Sequence, residues 1–357
     1  MSDSRVAGHR YLLYGSQVYA LSILRPLQEE IRRRGGQTAW FFDGPGAGYL
    51  REDERLLTTV ERVRSFNPAA VFVPGNSVPD YFPGIKVEVF HGFSVGKRSD
   101  NEGHFRIRGL FDLYCTQGST TTQQFEVLAK RHGHFRVEET GWPKVDPLFD
   151  GRDRGAAPWG EGWARERPIV LYTSTFTRGM SSAPVLREPI RQLSNEGRWN
   201  WLVTLHPKTP VELVQAYEAL QGPHLRFART DDVLPLLQAA EVMVSDTSSI
   251  VHEFLLLHKP AITLRNKRPG AELIDIPDPG ELEPAIEKAL QRPADLMRHI
   301  VEFADAIHPY RDGRSSERVL RATHDFIDRK RAGLRSKPLN LWRKLRLRRK
   351  LGYYHWR

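Results

Sequence analysis

Residues 242–264 read VMVSDTSSIVHEFLLLHKPAITL, and this stretch decides the fold. Val242, Met243 and Val244 predict a strand, Ile250 to Leu257 a helix, and Ala261 to Leu264 a second strand after Lys259-Pro260. A strand, a short helix and another strand in so few residues predict a parallel crossover unit. Between the first strand and the helix stand Ser245, Asp246, Thr247, Ser248 and Ser249. A strand that breaks into hydroxyl residues and starts a helix leaves unpaired N–H groups and a positive dipole end at one point. Such a point suits a phosphate or pyrophosphate. The alternative is that Ser248 or Ser249 only caps the helix.

The same alternation extends in both directions. Strands are expected at His9–Tyr14, Thr38–Phe42, Ala69–Val73 and Lys86–Phe90, with helices at Ser22–Arg34 and Glu52–Ser65. Gly151–Arg167, rich in glycine, charge and tryptophan, reads as a linker. A second series follows, with strands at Ile169–Thr173 and Trp201–Leu205 and a helix at Asp232–Ala239. Late helices are expected at Glu281–Gln291, Pro293–Phe303 and Ser315–Lys330. The fold class is therefore α/β, with two Rossmann-like domains, residues 1–150 and 168–333, facing each other across a cleft.

Composition narrows the function. The chain has 357 residues and 40% hydrophobic content, enough for two full cores. No apolar run approaches the roughly 20 residues that span a bilayer, and the N-terminus lacks the apolar core of a signal peptide. One cysteine, Cys115, excludes an internal disulfide and a cysteine-clustered metal site. A cytoplasmic protein is expected. From Arg335 to Arg357 there are nine Lys or Arg residues and no acidic one, so nearly all of the net charge of +10 sits there. A nucleic-acid enzyme would spread its basic residues along the body, and no nucleic acid is expected as partner.

Other candidate residues stand at strand ends. His91-Gly92 follows a strand directly, where an imidazole can take a proton from an attacking hydroxyl; a structural turn histidine is the alternative. Thr175 and Arg178, in the run TSTFTR, offer a hydroxyl and a guanidinium to phosphate oxygens, or form an ordinary polar loop. His206-Pro207-Lys208 ends the strand WLVTL and leaves an imidazole and an ammonium there. In Gly141-Trp142-Pro143-Lys144-Val145-Asp146, Lys144 and Asp146 point either at a ligand or at each other. Gly44–Gly48 lacks the spacing of a dinucleotide loop, and His252-Glu253 with His258 lacks that of a zinc protease.

Taken in order, HG at His91, GWPKVD at Gly141, YTSTF at Tyr172, HPK at His206, SDTSS with Glu253 and KPAI, and PYRDGRSSERV at Pro309 resemble one family. It is the CDP-glycerol glycerophosphotransferases of teichoic-acid and capsule synthesis, whose catalytic domain has a GT-B fold. The resemblance runs from about Phe90 to Val319 and rests on order and spacing. It implies transfer of glycerol phosphate from CDP-glycerol, or a related CDP-alditol, to a hydroxyl of a lipid-linked glycan, with release of CMP. It further implies that His91 is the base, that His206, Ser248 and Ser249 contact the donor's phosphates, and that Glu253 helps to bind the ribose. Lys144, Thr175, Arg178, Lys208, Asp246 and Thr247 complete the expected donor set. Lys144 stands where the family more often has arginine, and Thr247 where it more often has an aromatic residue. With no acidic cluster to hold magnesium, neither metal nor cofactor is expected.

The nearest rivals are a glycosyltransferase of the same fold using a nucleotide sugar, and a sugar-nucleotide 2-epimerase. A non-catalytic lipid- or RNA-binding protein is the rival of a different class. Residues 334–357 read as a basic amphipathic tail. Trp342, Arg343, Lys344, Arg346, Arg348, Arg349 and Lys350 are expected to hold the protein on the anionic inner face of the cell membrane.

Overall fold

The computed structural model describes residues 5–93, 103–151, 167–230 and 232–355. It divides into two units, residues 1–150 with 307–357 and residues 151–306. The expected linker lies almost wholly outside the described residues.

Unit 1 begins β1 (Arg10–Gly15), α1 (Ala20–Arg33), β2 (Gln37–Phe42), α2 (Val60–Phe66), β3 (Ala70–Val73) and β4 (Ile85–Glu88). It continues with β5 (Leu113–Thr116), α3 (Ser119–His132), β6 (Arg136–Glu139) and the single turn α4 (Asp146–Phe149). All pairings are parallel, in the order β2-β1-β3-β4-β5-β6. The central strands β1 and β3 are apolar and buried on both faces, as a sheet covered on both sides requires. The helix expected from Glu52 starts only at Val60, where the Thr59 hydroxyl accepts from the Arg62 N–H (3.3 Å).

Unit 2 runs β7 (Ile169–Tyr172), α5 (Ala183–Glu196), β8 (Asn200–Val203), α6 (Val211–Glu218), β9 (Leu225–Phe227) and α7 (Leu234–Ala239). Then come β10 (Val242–Ser245), α8 (Ile250–Leu255), β11 (Ala261–Leu264), β12 (Leu273–Ile276), α9 (Leu282–Leu290) and α10 (Ala294–Ile307). Its sheet is also parallel, in the order β12-β11-β10-β7-β8-β9. The Lys259 ammonium donates to the Leu237 and Gln238 carbonyls at 3.2 and 2.6 Å, which gives the KPAI motif a structural role at the end of α7.

After α10 the chain returns to unit 1 with α11 (Ser315–Arg329) and α12 (Leu341–Lys350), so the second domain does not extend to residue 333 as expected. The cause is packing. Leu320 and Val319 of α11 are buried, and Arg318 donates to the Thr140 carbonyl at 2.8 Å.

The basic tail needs a second correction, because it is not a free segment. The connection from β3 to β4 has no helix, and α12 lies against it. Leu347 and Tyr353 join the core formed by Val60, Phe66, Val78 and Phe82. Tyr353 stacks on Tyr81 at 4.7 Å, and the Arg348 guanidinium sits 4.6 Å from that ring. Burying two such side chains contributes about 3–6 kcal/mol. Of the expected membrane residues, Lys350 pairs with Asp43 (2.5 Å), while Lys344 and Arg348 reach Asp80 at 3.7 and 3.5 Å. Arg343 donates to the Arg108 carbonyl at 2.8 Å. Trp342, Arg346 and Arg349 remain exposed.

Candidate functional site

In unit 2 the chain passes from β7 outward to β9 on one side, then crosses to build β10, β11 and β12 on the other. The reversal between β7 and β10 opens a crevice at the carboxyl ends of the strands, where such sheets bind ligands. The Asp246 carboxylate, buried just after β10, bridges it. It accepts from the Thr175 N–H at 3.0 and 3.1 Å, from the Ser182 N–H at 2.9 Å and from the Ser182 hydroxyl at 3.1 Å. Asp246 was expected to touch the donor. Its oxygens are instead committed to protein N–H and O–H groups, so it shapes the loop after β7.

The loop so held presents Thr175 and the exposed Phe176 and Arg178. The His206 ring lies on Phe176 with centroids 4.3 Å apart, and the Lys208 ammonium is 5.4 Å from the same ring. His206 Nδ1 accepts from the Lys208 N–H at 3.0 Å, so in the neutral ring the proton is on Nε2. Partial burial first, and the Lys208 charge second, hold the His206 pKa below its ordinary value. A neutral imidazole of this tautomer has one N–H to donate, at Nε2.

Thr247, Ser248 and Ser249 follow Asp246 and are half-buried. The Thr247 hydroxyl accepts from the Lys267 N–H at 3.3 Å. Ser249 occupies the N-cap position of α8 without a side-chain capping bond, so capping does not account for its hydroxyl. α8 ends at Leu255, shorter than the expected Ile250–Leu257. Glu253 is buried on the first turn of α8 and is engaged by the protein.

Unit 1 holds His91. Phe90, with φ of 61°, turns its own side chain into the core and ends the strand path before His91. Trp142 Nε1 donates to the Phe90 carbonyl at 3.2 Å and fixes that turn. His91 Nδ1 is 3.0 Å from the Pro74 carbonyl, which only accepts, so Nδ1 carries the proton and Nε2 the lone pair. His91 Nε2 lies 3.3 Å from His104 Nε2, and the Tyr19 ring stacks on the imidazole at 5.4 Å. Glu88, just upstream at the end of β4, is buried, and that burial raises its pKa well above the ordinary carboxylate range.

The GWPKVD and PYRDGRSSERV motifs brace this turn from behind. Gly141 has φ of 78°, and a Cβ there would meet the Ser315 hydroxyl oxygen at 2.5 Å and His308 Nε2 at 3.0 Å. His308 Nε2 accepts the Trp142 N–H at 3.0 Å, and burial holds its pKa down at about 4, so the ring is neutral. Asp146 accepts the Ser315 and Ser316 N–H groups, both at 2.7 Å, and closes the start of α11. Lys144 was expected in the donor set. It belongs to unit 1, on the turn Pro143–Val145, with its ammonium 5.2 Å from the Trp142 ring.

Thr175, Arg178, His206, Lys208, Asp246, Thr247, Ser248, Ser249 and Glu253 thus belong to unit 2, with Thr175 bonded to Asp246 and His206 beside Lys208, while His91 and Lys144 belong to unit 1. Sequence reading missed His104, Tyr19 and the Trp142 bond behind His91. Phe90-His91 and Trp142 are far apart in sequence, and no spacing links them. Among the described residues no three His, Cys, Asp or Glu side chains gather as metal ligands.

The family model for UDP-N-acetylglucosamine 2-epimerase matches residues 112–324. No curated protein matches the chain. Among solved structures, the wall teichoic acid polymerase TagF is similar with a TM-score of 0.68 at 12% identity, covering 92% of this chain and 91% of that one. A TagF variant soaked with CDPG has a TM-score of 0.63 at 12% identity, covering 90% and 89%. A protein of Listeria monocytogenes assigned as a UDP-N-acetylglucosamine 2-epimerase has a TM-score of 0.64 at 13% identity, covering 91% and 98%. These likenesses agree with the α/β, GT-B class read from the two parallel sheets. With more than half of its length matched, the chain belongs to the UDP-N-acetylglucosamine 2-epimerase family.

Proposed function

We propose that the protein transfers glycerol phosphate, or a related alditol phosphate, from CDP-glycerol to a hydroxyl of a lipid-linked glycan at the inner face of the cell membrane. The acceptor oxygen bonds to the phosphorus that carries glycerol, and the bond from that phosphorus to the bridging oxygen breaks. CMP leaves with that oxygen, and the hydroxyl proton passes to His91 Nε2. The observation that carries this reading is the His91 tautomer: a ring whose Nδ1 proton is held by the Pro74 carbonyl has its lone pair on Nε2, as a general base requires.

On the donor side, His206, Lys208, Arg178, Thr175, Ser248 and Ser249 hold the diphosphate, and Glu253 supports the ribose. Phosphoryl transfer then depends mainly on positioning and on neutralising the equatorial oxygens. Imidazole, ammonium, guanidinium and hydroxyl groups serve that purpose without a metal ion. Full activity is expected in excess EDTA, and a loss restored by magnesium would overturn this part of the reading.

One observation favours a second reading. The family match over residues 112–324 suits a nucleotide-sugar enzyme, either a glycosyltransferase or an epimerase. Turnover of CDP-glycerol, CDP-ribitol and UDP-sugars, with and without acceptor lipid, separates them. CMP release that requires both a CDP-alditol and the acceptor supports transfer. Turnover of a UDP-sugar without acceptor supports epimerisation.

A further inference from the structure

The helix α12 has two unlike sides. A helix turns about 100° per residue, which places Arg343, Lys344, Leu347, Arg348 and Leu351 on one side. That side is bound to unit 1 through the Arg108 carbonyl, Asp80 and the core. The other side carries Leu341, Trp342, Leu345, Arg346 and Arg349, all exposed. Trp342 is 86% exposed and Leu341 58%, with Leu339 at 74% just before the helix. A helix needed only for the core would place polar residues outward, and here the first half of the outward side is apolar, Leu341, Trp342 and Leu345, with Arg346 and Arg349 following toward the C-terminus.

The charge is equally one-sided. The carboxylates beneath α12, Asp43 and Asp80, are taken by Lys350, Lys344 and Arg348. Arg346 and Arg349 have no carboxylate partner among the described residues, and no acidic residue follows Asp328 in the chain. Outward leucines and tryptophan followed along the helix by two arginines without a carboxylate partner are complementary to an anionic headgroup layer above an acyl interior. No helix among the described residues is long and apolar enough to cross a membrane.

We propose that the outer side of α12 is a docking surface for an anionic lipid bilayer. The helix lies in the plane of the bilayer surface. Leu341, Trp342 and Leu345 enter the boundary between headgroups and acyl chains, and Arg346 and Arg349 meet lipid phosphates. Because the inner side is built into unit 1, docking sets the orientation of that unit instead of tethering it. Lys350 at the end of the helix pairs with Asp43, which follows β2. His91 follows β4 in the same parallel sheet, so both leave its carboxyl edge. The proposal does not depend on the identity of the donor.

The test is co-sedimentation of the full chain with vesicles of equimolar phosphatidylglycerol and phosphatidylcholine, against phosphatidylcholine alone. No donor or acceptor is present, so failure here is distinct from failure of the transferase reading. Truncation is avoided because Leu347 and Tyr353 belong to the core. Each basic side chain near an anionic leaflet is worth about five-fold in partitioning, so Arg346→Gln with Arg349→Gln should reduce it about thirty-fold. Trp342→Ser with Leu345→Ser should reduce it by about ten-fold or more. Val127→Ser with Arg131→Gln, exposed on α3, should change nothing. A polarity-sensitive dye on Leu345→Cys, the buried Cys115 being protected, should shift to the blue on vesicles. Equal partitioning of wild type and both paired variants would overturn the proposal. So would a dye that stays in water, or binding to a single-stranded oligonucleotide in place of the vesicles.

Discussion

The two units have parallel six-stranded sheets but use their carboxyl edges differently. In unit 2 Arg178 is exposed, Ser248 and Ser249 are half-buried, and one buried carboxylate, Asp246, holds the loop after β7. In unit 1 the His91 imidazole is surrounded by fixed partners, with His104 Nε2 at 3.3 Å from its Nε2. Pro74 sets its tautomer, Tyr19 covers its face, and Trp142, His308 and Asp146 brace the turn that carries it. Groups that bind an anion need reach and several donors. A group that moves a proton needs one tautomer and one orientation, and buried hydrogen bonds supply both.

The comparison breaks first at Asp246. Asp246→Ala leaves the buried Ser182 N–H and the Thr175 N–H without acceptors, and should destabilise unit 2 by about 3–4 kcal/mol. Hydrogen exchange in denaturant should show the loss in residues 151–306, with unit 1 unchanged. A uniform change in both units would mean that Asp246 does not act locally.

The brace in unit 1 predicts a pH dependence. His308 is held at about 4 in the folded protein against 6.5 for the free side chain. Between these values the unfolded chain binds more protons, so stability is lost as pH falls through this window and retained above it. The full loss amounts to about 3 kcal/mol. Urea unfolding of unit 1 should show it, and His308→Gln, which keeps an acceptor but does not titrate, should flatten the slope. An unchanged slope in that variant would assign the effect to other groups.

The smallest expected effect sharpens the comparison in unit 2. Ser248→Ala with Ser249→Ala should weaken CDP-glycerol binding about ten-fold, and His206→Ala about five-fold. Combined, they should cost less than the product if they share one phosphate. Calorimetry decides, and unchanged affinity in all three would move the donor elsewhere.

Much of this was legible in the sequence because period and strand ends are local properties. The run from Val242 to Leu264 forms β10, α8 and β11 nearly where its apolar residues place them. β5, α3 and β6 were missed. Leu113–Thr116 is only four residues long, and α3 starts with Ser-Thr-Thr-Thr, which resembles a loop until Phe125 packs into the core. The return of residues 307–357 to unit 1 depends on contacts such as Arg318 with Thr140, which no local pattern reveals. The same holds for the tail, whose cations all read as membrane-facing until Asp43 and Asp80 divide them. The candidate site was legible as a set of strand-end motifs. The role of Asp246 was not, because donating backbone N–H groups have no signature in side-chain sequence.

The transferase account rests on His91. The decisive measurement is CMP release from CDP-glycerol in the presence of acceptor lipid, made on wild type and His91→Ala together with calorimetry of donor binding. The account predicts a loss of turnover of at least about 100-fold with donor affinity unchanged. Near-normal turnover by a folded His91→Ala protein would contradict it.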